Sequence, residues 1–600
     1  MFMRLYNELR KRPKLFAGLV FIFLSFVLYG NTLANGFVFD DRVIIRDRGE
    51  LKDVSHIPKL LFEPYHSSGY DADAYRPLTM ISYALNYVLL GQDARGFHLV
   101  NILLYALAAY AGFLFLWRLT GGFGLSFTAG LIFIFLPIHT EAVAGLVGRA
   151  EILSMFFSFF GFWVLLKGKE EDFPSATLTF SRQFKAALLF LLALLSKESA
   201  LGIIPLYLVI IEADFAGKEG FLKKLAALFK KYWTDFAYLF GAFFLYLLMR
   251  VSTLENLAAT RATVVENPLK FASPIERIIT AVKILGMYIV RIIYPAGNLS
   301  SDYSFNQIPA SANIFDPLFA LGAITLASAF FIIAAVFFKN SGGRCRIAAY
   351  AAGIFMFFYL PVSNIVFPIG TIMAERLMFI PSLGICLLTA LLIRYFLKRF
   401  SAGAVIYGLY FTLAGLVIFY GRAAIIRNLD WKSEKALFQS AAELSPRSVL
   451  SRSNNGAMHL IDNDLERAEK EIKAAQEIYD NYGYNLNNLG LLFLRKNRLE
   501  EARRQFVDTI IRHPDYAEPI DNLGLVYYLE GRYESAKKFW IIVYGEDKAS
   551  IKLAAGFQDN IIDLLKRGER KEAGELAARA GDLIENKRYL APIKEMMATD

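Results

Sequence analysis

Two adjacent carboxylates, Asp40 and Asp41 in "NGFVFDD", follow directly on an apolar run that reads as a membrane helix. Neighbouring like charges repel, which raises the proton affinity of at least one of them, and the one nearer a bilayer also loses hydration. A carboxylate of that kind can take the proton of a hydroxyl in a transition state, the help a Ser or Thr needs to become a competent nucleophile. The competing reading is a solvated loop pair. Further ionisable residues stand at the ends of other apolar runs: Arg76 in "YRPL", His139, Glu141, Arg149 and Glu151 in "PIHTEAVAGLVGRAE", Lys197 and Glu198 in "SKESA", and Glu375 and Arg376 in "AER". Charges close to membrane depth are costly and tend to mark a site. Three of the cations neighbour an acid, so structural ion pairs between helices compete with a binding role.

What must position them is a set of membrane helices. The 600-residue chain is 56% hydrophobic and holds 53 Phe, with a mean hydropathy of +0.39. Apolar runs of about 20 residues cross a hydrocarbon core as helices, and such runs recur from Leu15 to about Tyr420, then stop. Crossings are expected at 15–33, 97–117, 123–138, 152–166, 184–195, 200–213, 232–250, 314–338, 347–362, 376–396 and 403–421. Residues 277–294 would break the alternation; their cations and the stop at Pro295 predict a shallow or re-entrant helix. The net charge of +10 does not signal nucleic acid, because the cations sit mainly in short loops, where they set topology. Arg4, Arg10, Lys11, Arg12 and Lys14 hold the N-terminus in the cytoplasm, as an uncleaved anchor. All the motifs above then fall on the other side, together with the loop 34–96, "NLSSDYSFNQIP" and the C-terminal region. Two cysteines, Cys345 and Cys386, imply neither a disulfide framework nor a zinc site.

After the last crossing the pattern changes. "NNGAMHLIDNDLERAEKEI", "NNLGLLFLRKNRLEEARRQF" and "DNLGLVYYLEGRYESAKKFW" superimpose at an offset of 34 residues. Asn454, Asn488 and Asn522 fall in register, as do Gly456, Gly490 and Gly524, then Ala468, Ala502 and Ala536. This is the tetratricopeptide pattern of paired helices stacked in a solenoid. A recurring Asn could form a ladder along the concave face and bind an extended acceptor peptide; alternatively it satisfies local backbone groups. The fold expected is all-α: a polytopic membrane domain of about 11 transmembrane helices at 1–424, carrying the Asp-Asp motif in the outer loop 34–96, then a tetratricopeptide domain at 425–600.

The segments "NGFVFDD", "YRPLTMISYALNYVLLGQDARGFHLVNILLYAL", "IHTEAVAGLVGRAEIL", "LLSKESALGIIP", "ENPLKF…LSSDYSFNQIP" and "AERLMFIPSLG", in that order and followed by repeats, resemble the transmembrane and tetratricopeptide repeat-containing proteins. These are O-mannosyltransferases of the GT-C superfamily. The resemblance implies transfer of a hexose, mannose in that family, from a polyprenyl-phosphate carrier to Ser or Thr of an acceptor protein. It implies inversion at the anomeric carbon and reaction on the non-cytoplasmic face. It casts Asp40 as the general base and Asp41 as its partner or an acceptor contact. The leaving group would be a lipid phosphate, which Arg76, Arg149, Lys197 and Arg376 could hold, since Arg forks and a Lys suit a single phosphate. His139 and Glu141 would line the acceptor pocket or assist proton transfer, although a His at a helix end is more often a hydrogen-bond bridge. Glu63, Asp302 and Tyr303 lie in the right loops with weaker individual cases. No cofactor is expected; Mg2+ or Mn2+ on Asp40, Asp41 and a third acid ranks second, because one phosphate needs less neutralisation than a diphosphate. Only three clear repeats suggest a bacterial relative, with the site and repeats in the periplasm. The alternatives are a non-catalytic membrane scaffold working through its repeats, and a transferase of the same fold acting on an envelope glycan or lipid.

Overall fold

The computed structural model describes residues 12–66, 74–166, 180–213, 221–254, 262–338, 343–399 and 404–598. The orienting cations Arg4, Arg10 and Lys11 and most of the basic loop "KGKEEDFPSATLTFSRQFK" lie outside those residues. Among the described residues the regular elements are all helices. They form two compact units, Met1–Ser445 and Pro446–Asp600.

The apolar runs build the first unit. Among the described residues seven helices are long and apolar enough to cross a membrane: Pro13–Ala34, Ala94–Thr120, Leu146–Leu165, Trp233–Thr253, Pro317–Phe337, Gly343–Val362 and Tyr407–Lys432. An eighth is a pair, Phe123–Phe135 and Pro137–Ala144, bent by 60°. Pro137 lacks the amide hydrogen a continuing helix needs, and the helix breaks there. The remaining expected crossings hold the helices Phe180–Ser196, Ile203–Ala213 and Ser382–Arg399. The first two have 17 and 11 residues, at or below the length a hydrocarbon core asks for. The third carries Arg394, Lys398 and Arg399. Residues 277–294 fall in a helix, Pro274–Ile293, opened by a reciprocal Ser273–Glu276 capping box. It is not among the spanning helices. It lies backbone to backbone on Pro317–Phe338: a Cβ at Gly286 would stand 1.9 Å from the Leu318 carbonyl oxygen, and one at Gly322 1.9 Å from that of Val282.

The expected outer loop 34–96 is a folded layer in its own right. Short turns and the helix Pro77–Leu90 close over Ile44, Ile45, Leu51, Leu60, Tyr65, Met80, Tyr83 and Tyr87, with Phe97 and Leu146 joining from neighbouring segments. The division between units falls at Ser445/Pro446, beyond the boundary expected at 424, because the segment after the last span is bound into the first unit. Asn428 donates to the Leu28 carbonyl and to Asn31 Oδ1, both at 2.8 Å. Trp431 is buried beside Val38, Ala144 and Leu437.

The second unit stacks antiparallel helix pairs: Val449–Ile461 with Leu465–Ile478, Gly483–Arg495 with Leu499–Arg512, Glu518–Leu529 with Tyr533–Tyr544, and Glu546–Lys566 with Arg570–Leu583. The in-register glycines touch the partner helix. A Cβ at Gly456, Gly490 or Gly524 would meet Ile472, Phe506 or Trp540 at 2.9, 2.4 and 2.5 Å. A fourth periodic signal sits in the turn inside each pair. Asn463, Asn497 and Gly531 have φ of 58°, 57° and 75°, the left-handed region that Gly and Asn tolerate best.

Candidate active site

The site begins at a backbone feature. Phe39 has φ 51°, uncommon for a bulky residue. After it, the two aspartates meet different surroundings. Asp41 is buried, and its carboxylate accepts the Val147 N–H at 2.9 Å and the Val38 N–H at 3.4 Å. It fastens the outer layer to the "LVGRAE" turn. Burial pushes its carboxyl up to about 7, against the pull of the Val147, Val38 and Leu146 N–H groups. Asp40 is half-buried, and no hydrogen bond to its carboxylate is present among the described residues. Burial raises its proton affinity as well; Arg376 opposes this, and Glu141 and Glu266 add to it. The chain thus separates one carboxylate committed to structure from one that faces a cation and other acids.

Three of the four candidate cations belong to the same cluster. Arg376 forms an ion pair with the buried Glu141, which also accepts the Arg376 backbone N–H at 2.9 Å. Arg76 makes a two-point fork to Glu198, Nη2–Oε1 2.8 Å and Nε–Oε2 3.2 Å, and lies over the Tyr65 ring. Burial disfavours both charges of that pair; each partner more than restores the other, so Arg76 stays above and Glu198 well below its ordinary value. Lys197 is buried in an ion pair with Glu151; burial lowers its proton affinity despite that acid, and Arg76 and Arg376 are near enough to lower it further. Loops following five different apolar runs therefore meet at one end of the helical unit, which is what alternating crossings demand of them.

The fourth cation does not join. Arg149 is fully buried, and its guanidinium donates to Asn101 Oδ1 at 2.7 Å, Asn86 Oδ1 at 2.9 Å, the Phe97 carbonyl at 3.1 Å and the Ser82 carbonyl at 3.2 Å, under the Tyr83 ring. With four of its five N–H groups on neutral acceptors and the side chain fully buried, Arg149 ties helices together. His139 likewise bridges, between the Tyr105 hydroxyl at 3.1 Å and the Ser382 hydroxyl at 2.9 Å, in a cage with Phe133 and Phe379. Glu375 turns away from Arg376: it accepts the Tyr303 hydroxyl at 2.8 Å and lies 3.8 Å from Arg427. Burial pushes Glu375 up to about 7, opposed by Arg427. Asp302 accepts from its neighbour Ser304, through N–H at 3.1 Å and hydroxyl at 3.0 Å. Glu63 pairs with Arg48 at 3.2 Å.

In the repeats, Asn488 donates to Ser453, to its carbonyl and hydroxyl oxygens at 3.1 Å each, and Asn522 donates to Asn487 Oδ1 at 2.9 Å. These amides stitch each repeat to the one before it. Asn454, in the first repeat, is half-buried in the same register. Asn488 and Asn522 thus serve as joints between repeats.

Several residues of the site escaped sequence reasoning. Glu266 and Asn267, in "ENPLKF", carry no signal of their own in the sequence beyond the resemblance. Asn267 donates to Asn364 Oδ1 at 2.9 Å and the Ile369 carbonyl at 2.7 Å; Asn364, at φ 61°, donates to the Thr371 and Ile372 carbonyls. This pair of amides shapes the "SNIVFPIGTIMAER" loop that delivers Arg376. Asn at a left-handed position in a Pro/Gly-rich loop was the available signal. Among the described residues no group of three or more His, Cys, Asp or Glu is disposed to hold a metal ion.

No family model matches the chain. It is 29% identical over 474 residues to the protein O-mannosyl-transferase F38B6.6 of Caenorhabditis elegans, covering 77% of this chain and 63% of that protein. It is 27% identical over 480 residues to human protein O-mannosyl-transferase TMTC3, 76% of this chain and 51% of that one, and 28% identical over 492 residues to mouse TMTC4, 74% and 64%. The chain thus spans about half to two thirds of the length of these curated relatives. Among solved structures, ArnT from Cupriavidus metallidurans bound to undecaprenyl phosphate aligns with 81% of this chain and 79% of its own, at 15% identity and a TM-score of 0.32. Over three quarters of its length, this chain is similar to the transmembrane and tetratricopeptide-repeat protein O-mannosyltransferases.

Proposed function

We propose that the chain is a membrane glycosyltransferase that moves a hexose, in keeping with the relatives' names mannose, from a polyprenyl-phosphate carrier to a Ser or Thr hydroxyl. Asp40 takes the hydroxyl proton as the oxygen attacks the anomeric carbon. The bond from that carbon to the phosphate oxygen breaks on the opposite face, and the polyprenyl phosphate leaves with the bonding electrons, so configuration inverts. The observation that carries the reading is the split between the aspartates: Asp41 is engaged by backbone N–H groups, whereas Asp40 stands in the field of Arg376 and Glu141 with no hydrogen bond among the described residues. A raised proton affinity suits a base that must hold a proton through the transition state.

The phosphate must be held by cations that already have partners, so exposure decides which can change them. Arg376 is 31% exposed and Arg76 18%, against 6% for Lys197. Glu141 keeps the Arg376 backbone N–H if the guanidinium swings away. Removing Lys197 from Glu151 would strand a buried charge, a cost of several kcal/mol, on the order of 3–5. Arg376 and Arg76 are therefore the phosphate contacts in this reading, and Lys197 shapes the field behind them. The step uses side chains alone for charge neutralisation, without a metal. The site faces the non-cytoplasmic side, the periplasm for a bacterial chain, and the repeats recruit the acceptor protein. The test is transfer from labelled polyprenyl-phosphate mannose to a Ser/Thr-rich peptide by the full chain in proteoliposomes. Asp40→Asn should abolish transfer while insertion and melting stay unchanged; full transfer by that variant would remove the mechanism.

A further inference from the structure

The segment that leaves the last span has a second task. Numbered some 400 residues away, it returns to the backbone on either side of Asp40. Asn31 donates to the Ile425 carbonyl at 2.9 Å, and Asn35 to the Asn428 carbonyl at 3.1 Å. The Gly36 N–H donates to the Lys432 carbonyl at 3.2 Å. Val38 is buried against Trp431 and Leu437, and Phe39 meets Phe438 edge to face, 5.6 Å between centroids at 87°. Beyond the aspartates, Arg42 pairs with Glu434 at 2.5 Å. Gly145 leaves room for this arrangement, since a Cβ there would stand 2.9 Å from the Trp431 ring. Phe37 packs on Phe97 and Asp41 on Val147; most of the other flanking contacts come from this one segment. A left-handed Phe does not hold itself, and persists only where its surroundings fix it.

We propose that residues 428–438 form a positioning clamp that sets the direction of Asp40, with Phe438 and the Arg42–Glu434 pair as positioning residues for the transfer reaction. The clamp includes the first turn of the helix Glu434–Leu444, which supplies both Glu434 and Phe438. It rests on the reading of Asp40 as base, and a second readout keeps the two separable. Contacts that only add stability would be felt in melting; contacts that aim a carboxylate are felt in turnover, because a displacement of about 1 Å can lower a rate about a hundredfold.

The experiment uses the full chain in proteoliposomes with labelled polyprenyl-phosphate mannose and a Ser/Thr-rich peptide. Phe438→Ala, Glu434→Arg and Arg42→Glu should each lower kcat by about ten- to a hundredfold with the KM for the donor unchanged. The double variant Arg42→Glu with Glu434→Arg should recover kcat. In parallel, Asp40→Cys is labelled with a membrane-impermeant maleimide in a Cys345→Ser background, since Cys345 is exposed and Cys386 buried. The labelling rate should change with each single clamp variant and return in the charge-swapped pair. Unchanged kcat in the single variants, with Asp40→Asn inactive, overturns the clamp and leaves the base in place. Should Asp40→Asn remain active, the base reading falls, and the labelling rate alone decides: unchanged labelling overturns the clamp as well.

Discussion

Exchanging each aspartate for asparagine should produce opposite phenotypes. Asp40→Asn removes the base, and with it the charge opposite Arg376, at little change of shape: the side chain is half-buried and has no hydrogen bond among the described residues. Loss of a positioned general base costs about 10²–10⁴ in rate, or about 3–5 kcal/mol of barrier, while the fold should not be weakened, since burial already opposes the Asp40 charge. Asp41→Asn should keep most of the turnover and instead change how stability depends on pH. Folding lifts the Asp41 carboxyl from an ordinary 3.8 to about 7. Between those values the folded chain holds a proton that the unfolded chain has lost. The stability this group contributes is therefore complete below about 4 and disappears as pH rises through about 7. From pH 5 to pH 8 the loss spans about two units at 1.36 kcal/mol each, so about 3 kcal/mol. Asparagine has no proton to release, and the variant should lack that slope. Thermal shift in detergent across pH 5–8 measures it, alongside the transfer assay. If Asp41→Asn abolishes transfer with a wild-type pH profile, while Asp40→Asn transfers normally, the assignment of the two carboxylates is wrong.

Two further substitutions separate structure from chemistry. Arg149→Lys keeps the charge but cannot reproduce the fork that reaches Asn86, Asn101 and two carbonyls; each acceptor left bare costs about 1–3 kcal/mol, so the melting temperature should fall while the donor KM of the folded fraction is unchanged. Gly490→Ala puts a methyl 2.4 Å from the Phe506 ring and should destabilise the repeats by about 1–3 kcal/mol; Gly581→Ala, with nothing within 4 Å, should be neutral or stabilising in the same melting experiment.

The elements were legible because each rests on a local signal. Apolar length located the helices at the expected crossings, and the 34-residue period located the glycine contacts of the repeats. Residue type also brought Asp40, Glu141, Glu151, Lys197, Glu198, Arg76 and Arg376 together, since charges at the ends of apolar runs must share a polar region. What sequence could not give was which charges are already satisfied. Arg149 and Arg376 look alike in a string of letters; only tertiary contacts show one enclosed by neutral acceptors and the other paired through a partly exposed fork. The recurring Asn is ambiguous for a related reason: a periodic amide can serve the neighbouring repeat as readily as a peptide, and Asn488 and Asn522 bond to the repeat before them. The boundary at 424 was misplaced because a polar segment after a span reads as a linker, and its burial against Leu28, Asn31 and Val38 depends on contacts about 400 residues away.

The satisfied cations lead to a last, less obvious expectation. If Arg76 holds the donor phosphate, Glu198 competes with that phosphate for the same fork. Glu198→Gln should then tighten donor binding, whereas an arginine held in place by its acid would bind the donor less well after the change. The pair is partly open to solvent, at 18% for Arg76 and 38% for Glu198. An ion pair of that exposure contributes about 0.2–1 kcal/mol, so releasing it should lower the donor KM by about 1.4- to 5-fold, with melting changed only slightly. The corresponding change at the buried pair should act in the other direction, because Glu151→Gln leaves Lys197 without a counter-charge among low-dielectric surroundings and costs stability first. Donor KM measured for both variants at fixed ionic strength tests the idea. A higher KM for Glu198→Gln would make that acid a support for Arg76 rather than its competitor, and the phosphate would then rest on Arg376.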